Sequence, residues 1–165
     1  MMKPSRSSLL LLLSAVVLTG CDGDSVTGLS LGDLAGQWTA SSFTFTSVAN
    51  PAHTVDLIAD MGGSMTLNLQ ADGSFTGTIN LPGVTPGGLP IGGTVTMDEE
   101  AATMDVRFNQ TTLGYGLFQD FVAAFTLDEA RRTLTWSFGP TAFNFPQNPE
   151  VGEEAAMAVV VLTRP

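Results

Sequence analysis

The chain has 165 residues, with 6 Lys and Arg against 16 Asp and Glu, a formal charge of −10, and only 13% of its residues are charged. Nucleic acid is excluded as a partner, because binding it rests on lysine and arginine neutralising phosphates, and adhesion to an anionic membrane surface is disfavoured for the same reason. The length suits one domain, and abundant Thr, Ser and Gly favour strands with short turns over helices.

In chain order, Lys3 and Arg6 come first, then an apolar run from Leu9 to Leu18, then Thr19, Gly20 and Cys21, the only cysteine. A basic start, a short apolar middle and small residues at the cut describe a secretory signal. The run is too short to span a bilayer, which takes ~20 residues, and Ser14 interrupts it, so a retained transmembrane anchor is the weaker alternative. Leu18-Thr19-Gly20-Cys21 resembles the lipobox of bacterial lipoproteins. The resemblance implies that residues 1–20 are a cleaved signal peptide and that Cys21 carries a thioether-linked diacylglycerol and palmitate-type acyl chains. The membrane is then a partner through those chains, since two or more chains hold where one does not. The implied location is the bacterial cell envelope, with the domain on the periplasmic or extracellular side.

Lys3 and Arg6 leave with the signal, so four basic residues face sixteen acidic ones, a formal charge of −12. That acidity argues for solubility, and a monomer is expected. Residues 21–30 read as a flexible tether. Asp22, directly after the cysteine, resembles the inner-membrane retention signal of enteric lipoproteins, a rule that does not carry over to all bacteria, so inner and outer membrane both stay open.

Residues 31–165 read as the folded domain. A turn of helix over 31–35 precedes a first strand over 37–47. Gly36-Gln37-Trp38 resembles the G-x-W signature of lipocalins and of bacterial lipocalin-like lipoproteins, which implies an up-and-down barrel. Trp38 lies on the even face of this strand but Phe43 and Phe45 on the odd face, so a bulge or bend is required near 40–42. Within 49–63, Asn50-Pro51 marks a turn, and 55–58 reads as a short strand or one turn of helix. The lipocalin resemblance implies that this segment covers one barrel mouth. His53, the only histidine, is expected to face solvent; with no second histidine or cysteine in the domain, no metal site is expected.

Met65, Leu67 and Leu69 alternate with polar residues, as do Phe75, Ile79 and Leu81. A three-residue loop, Ala71-Asp72-Gly73, pairs Leu69 with Phe75, Leu67 with Gly77 and Met65 with Ile79, whereas a two-residue loop would set Leu69 against Thr76. The register therefore selects a type I turn with Gly73 left-handed. After a Gly/Pro-rich connection over 82–88, strands follow at about 91–97 and 103–108. An irregular piece over 109–116 holds the one tyrosine, Tyr115. Strands at about 118–127 and 133–138 come next, then a long loop over 139–152 whose Phe143 and Phe145 could cover a barrel end, and a last strand over about 155–163. The turns over 97–104 and 127–134 are near copies, and the switch of apolar phase requires four-residue loops closed by Asp98–Thr103 and Asp128–Thr133. Glu99, Glu100, Glu129, Arg131 and Arg132 read as solvated turn residues.

Eight strands in an antiparallel meander close into a barrel without exposed edges; the rival is a β-sandwich. Closure sets the last strand antiparallel to the first and brings Arg164 beside Trp38. Lipocalins carry an arginine across the G-x-W tryptophan, and Arg164 with Trp38 resembles that barrel-closing pair; the alternative is a solvated terminal arginine. The T-D-Y-like run of lipocalins is absent, so the resemblance is to a divergent bacterial lipocalin-like domain.

Two functions follow. An eight-stranded interior either holds one small ligand or is filled by side chains. In the first reading the barrel binds a small hydrophobic ligand; in the second it is a structural or interaction module with a filled core. The inward set for either is Phe43, Phe45, Leu67, Phe75, Ile79, Met97, Met104, Phe125, Trp136 and Phe138, with Gly77 opposite Leu67 as a hint of space. An enzyme is not expected, because no Ser-His-Asp order or cysteine nucleophile is present, and no cofactor is expected.

Overall fold

The computed structural model describes residues 28–85, 87–114, 118–146 and 152–165. The expected signal peptide, Cys21, most of the tether and Tyr115 lie outside the described residues.

The elements are α1 (Leu31–Leu34), β1 (Gly36–Ser47), β2 (Thr54–Asp56), β3 (Ser64–Leu69), β4 (Ser74–Asn80), β5 (Leu89–Asp98), β6 (Thr103–Phe108), α2 (Gln110–Leu113), β7 (Phe121–Leu127), β8 (Thr133–Asn144) and β9 (Glu153–Thr163). From β3 to β9 each strand pairs antiparallel with the next, β1 pairs with β3, and β9 returns to pair with β1. The result is one closed antiparallel barrel of eight strands, not the two stacked sheets of a sandwich. β2 is a ninth, short strand. It takes the edge of β1 that β3 has left, setting Thr44 against Asp56 and Thr46 against Thr54. Of the two readings of 55–58, the strand holds for its first half.

Local chemistry explains the elements. The apolar phase of β1 flips where its register with β9 shifts, between Ala40 and Ser42, so Trp38 and Phe45 are both buried. In the β3–β4 hairpin, Leu69 faces Phe75, Leu67 faces Gly77 and Met65 faces Ile79. Gly73 sits at φ +86°, and Asp72 Oδ1 accepts from the Ser74 backbone N–H at 2.9 Å and its hydroxyl at 2.7 Å. The two near-copy turns close on Asp98–Thr103 and on the Asp128 N–H to Thr133 carbonyl bond, 3.0 Å. They differ inside: the left-handed residue is Ala102 in one and Arg131 in the other, one place earlier.

The largest boundary differences from the sequence-based expectation are in β7 and β8; β5 and β9 each begin two residues earlier than expected. β7 starts at Phe121, not 118, because Asp120 Oδ1 takes the Phe108 N–H at 2.8 Å and diverts it from the ladder. β8 does not end at Phe138. The register with β9 shifts between Phe138 and Thr141, then resumes through Asn144 opposite Glu153. Proline has no N–H for the ladder, and the irregularity at Gly139-Pro140 absorbs it. Phe143 is therefore carried by a strand, and Phe145 by the residue just after it, rather than by a long loop.

All three tight hairpin turns, β3–β4, β5–β6 and β7–β8, lie at one end of the barrel, with α1. There Trp38, Leu69, Val95, Met104, Leu134 and Leu162 form the dry core, and Leu34 of α1 plugs the end. Burial of each such side chain contributes ~1.5–3 kcal/mol. Residues 48–63 and the described parts of the connections β4–β5, β6–β7 and β8–β9 lie at the other end.

Candidate functional site: a cavity at the loop end

The barrel is packed at one end and hollow at the other. A cavity of about 610 Å³ occupies the half beneath the long connections. Its wall is built from inward residues of β1 and of every strand from β3 to β9, and its mouth is lined by Val84, Gln119, Asp120 and Val122. Val84 and Val122 are more than half exposed, which marks the opening.

Aromatic rings dominate the wall. Phe43 stacks on Phe45 at 4.9 Å between centroids and Phe45 on Phe143 at 4.1 Å. Phe138 stacks on Phe121 at 4.1 Å and meets Phe43 edge-on at 6.5 Å. On the far side Phe108 contacts Phe75, Phe118 and Phe121. Offset and edge-on pairs of this kind add ~0.5–1.5 kcal/mol each beyond area burial, so the wall is preformed. The buried Trp136 Nε1–H has no hydrogen-bond partner among the described residues.

Of the ten residues expected to face inward, Phe43, Phe45, Leu67, Phe75, Ile79, Trp136 and Phe138 line the cavity. Met104 and Phe125 belong to the closed-end core, and Met97 packs against it half-buried. Alternation places all ten on the inner face, but only height along the barrel separates lining from filling. Phe108, Phe118 and Phe121 are among the further lining residues that were not in that set. Phe121 keeps the alternation of Ala123 and Phe125, so its signal was present; Phe118 lies outside any strand and had none. Gly77 does not provide space. A Cβ there would collide with the Thr66 carbonyl oxygen, so glycine answers a close approach of backbones.

The connection 48–63 folds over one side of the mouth. Ser47 Oγ donates to Glu154 at 2.7 Å, and the Ser47 N–H donates to the His53 carbonyl at 2.9 Å. Asp56 accepts from Ser42 Oγ at 2.7 Å and from the backbone N–H groups of Phe43 and Ile58 at 3.1 and 2.8 Å. Burial alone would push this carboxyl up, but those donors hold it below its ordinary value. His53 is not solvent-facing as expected. It is about one-quarter exposed, with Nδ1 3.7 Å from Glu154, Nε2 3.0 Å from Asn50 Nδ2 and its ring 6.2 Å from Phe145. Beneath it Phe45, Val55, Leu57 and Phe145 form a second small core, which tethers the segment and draws His53 inward.

Arg164 lies at the opposite end, its Cζ 4.6 Å from the Trp38 ring centroid. No three His, Cys, Asp or Glu side chains gather as a metal site among the described residues. The arrangement can enclose an apolar molecule of modest size. No protein-family model matches the chain, and neither a curated protein nor a solved structure matches it.

Proposed function

We propose that the protein is a non-catalytic, lipid-anchored envelope protein whose barrel takes up a small hydrophobic molecule. The observation that carries the uptake is the aromatic-walled cavity of about 610 Å³, inside the ~300–1,000 Å³ range of small-molecule sites. A filled-core module would have its inward phenylalanines packed against one another across the barrel, without that space.

The test is uptake of the uncharged dye N-phenylnaphthylamine by the full chain, read as enhanced emission. Leu81 lines the cavity and is only half-buried, so Leu81→Trp is expected to occupy part of the space and weaken uptake at least about tenfold, a loss of ~1.4 kcal/mol. The melting temperature, measured alongside, separates a filled cavity from a failed fold. No uptake by the parent chain sinks the proposal.

The anchoring reading rests on the lipobox-like residues and on where the described chain meets the barrel. Gly28 reaches it at the closed end, where its N–H donates to Glu99 at 3.1 Å, and α1 follows directly. An anchor on Cys21 would therefore hold the closed end toward the membrane and turn the mouth away from it. Labelled palmitate is expected to enter the protein in cells and to be lost in Cys21→Ala; equal labelling of both refutes the anchor.

A further inference from the structure

Resting on the uptake reading, we infer that the cavity selects uncharged hydrophobes and rejects carboxylate lipids of the same length. The argument begins with a count. From residue 28 onward the chain has five side chains that can carry positive charge: His53, Arg107, Arg131, Arg132 and Arg164. The structure places every one of them away from the cavity wall.

Arg131, Arg132 and Arg164 are at the closed end. Arg164 covers Trp38, Arg131 pairs with Asp33, and Arg132 lies exposed in the β7–β8 turn. His53 sits in the folded-over connection beside Glu154. Arg107 is the one arginine in the loop half, and it points outward from β6, with its side chain 59% exposed. It is held by Asp105 at 2.8 Å and by Asp120 at 3.4 Å. Asp120 itself lines the mouth, so an incoming anion meets a carboxylate before it meets the guanidinium.

Residues 86, 115–117 and 147–151, outside the described part, contain no lysine, arginine or histidine. Asp56, Asp60, Glu153 and Glu154 belong to the same end of the barrel. A carboxylate drawn into such a space would lose its hydration with no counter-charge in return, a cost that pairing normally offsets. A hydroxyl, ester or carbonyl loses far less on leaving water than an ionised carboxylate does.

The experiment displaces N-phenylnaphthylamine from the full chain with dodecanol, methyl dodecanoate and dodecanoate at about pH 8, where the free acid is fully ionised. Dodecanol and the ester are expected to bind at least about tenfold more tightly than dodecanoate. Gln119→Arg places a cation at the mouth and is expected to narrow the ratio of dodecanol to dodecanoate affinity several-fold; an unchanged ratio counts against the selection. Equal affinities, tighter dodecanoate, or no displacement by dodecanol overturns the selection. Absence of dye uptake altogether overturns the uptake reading beneath it.

Discussion

Arg164 shows what one residue does when a barrel closes. Its guanidinium lies over Trp38 and donates to three carbonyls: Asp33 at 3.1 Å, Ala35 at 3.2 Å and Arg131 at 2.5 Å. Four pieces of chain meet there: α1, the start of β1, the β7–β8 turn and the end of β9. The Trp38 Nε1–H donates to the Leu34 carbonyl at 2.8 Å, so the tryptophan holds α1 while the arginine holds the tryptophan. A double-mutant cycle of Trp38→Phe and Arg164→Gln on unfolding free energy is expected to give a coupling of ~0.5–2 kcal/mol; additive effects would show that the two act independently. Their proximity was legible, since antiparallel closure must bring the chain end beside the first strand. The three carbonyl acceptors were not, because they depend on how α1 docks.

At the scale of elements, the hairpins were legible and the long connections were not. Alternation has a period of two, and one residue of slip would turn every side chain of a strand to the wrong face. Loop length in β3–β4 then had one answer, and it required Gly73 in the left-handed region. A Cβ on Gly73 would also strike the Val95 carbonyl oxygen. Gly83, at φ +81°, has nothing within 4 Å of such a Cβ. Gly73→Ala is therefore expected to cost more than the ~1 kcal/mol of backbone strain that Gly83→Ala incurs, about 2–3 kcal/mol in all. Equal losses of thermal stability in the two variants would remove the steric part of the account. The second half of β8 was missed for a reason of the same kind. Gly139-Pro140 reads as the end of a strand, yet a register shift carries the ladder past it to Asn144. Whether a proline ends a strand or sits in an irregularity depends on the partner, here β9, which continues straight through.

The molecule as a whole divides into a packed end and a hollow end. Tight turns and α1 draw the strands together around Trp38 and Leu34, while four longer connections leave the other end open around the aromatic wall. The tilt of function toward uptake comes from that division. Local alternation and turn chemistry were enough to determine an all-β antiparallel chain, the registers of its tight hairpins and the bulge in β1, because each is set by neighbours within a few residues; that the sheet closes and joins its two ends, rather than stacking as a sandwich, was decided by the tertiary structure. Whether the interior is filled or empty, and which inward residues line the space, was decided only by the tertiary structure. That outcome is a sum of side-chain volumes over eight strands and of where the connections come to rest. A cavity lacking any cation is likewise a property of placement: the same five basic side chains, distributed otherwise over the barrel, would have welcomed an acid.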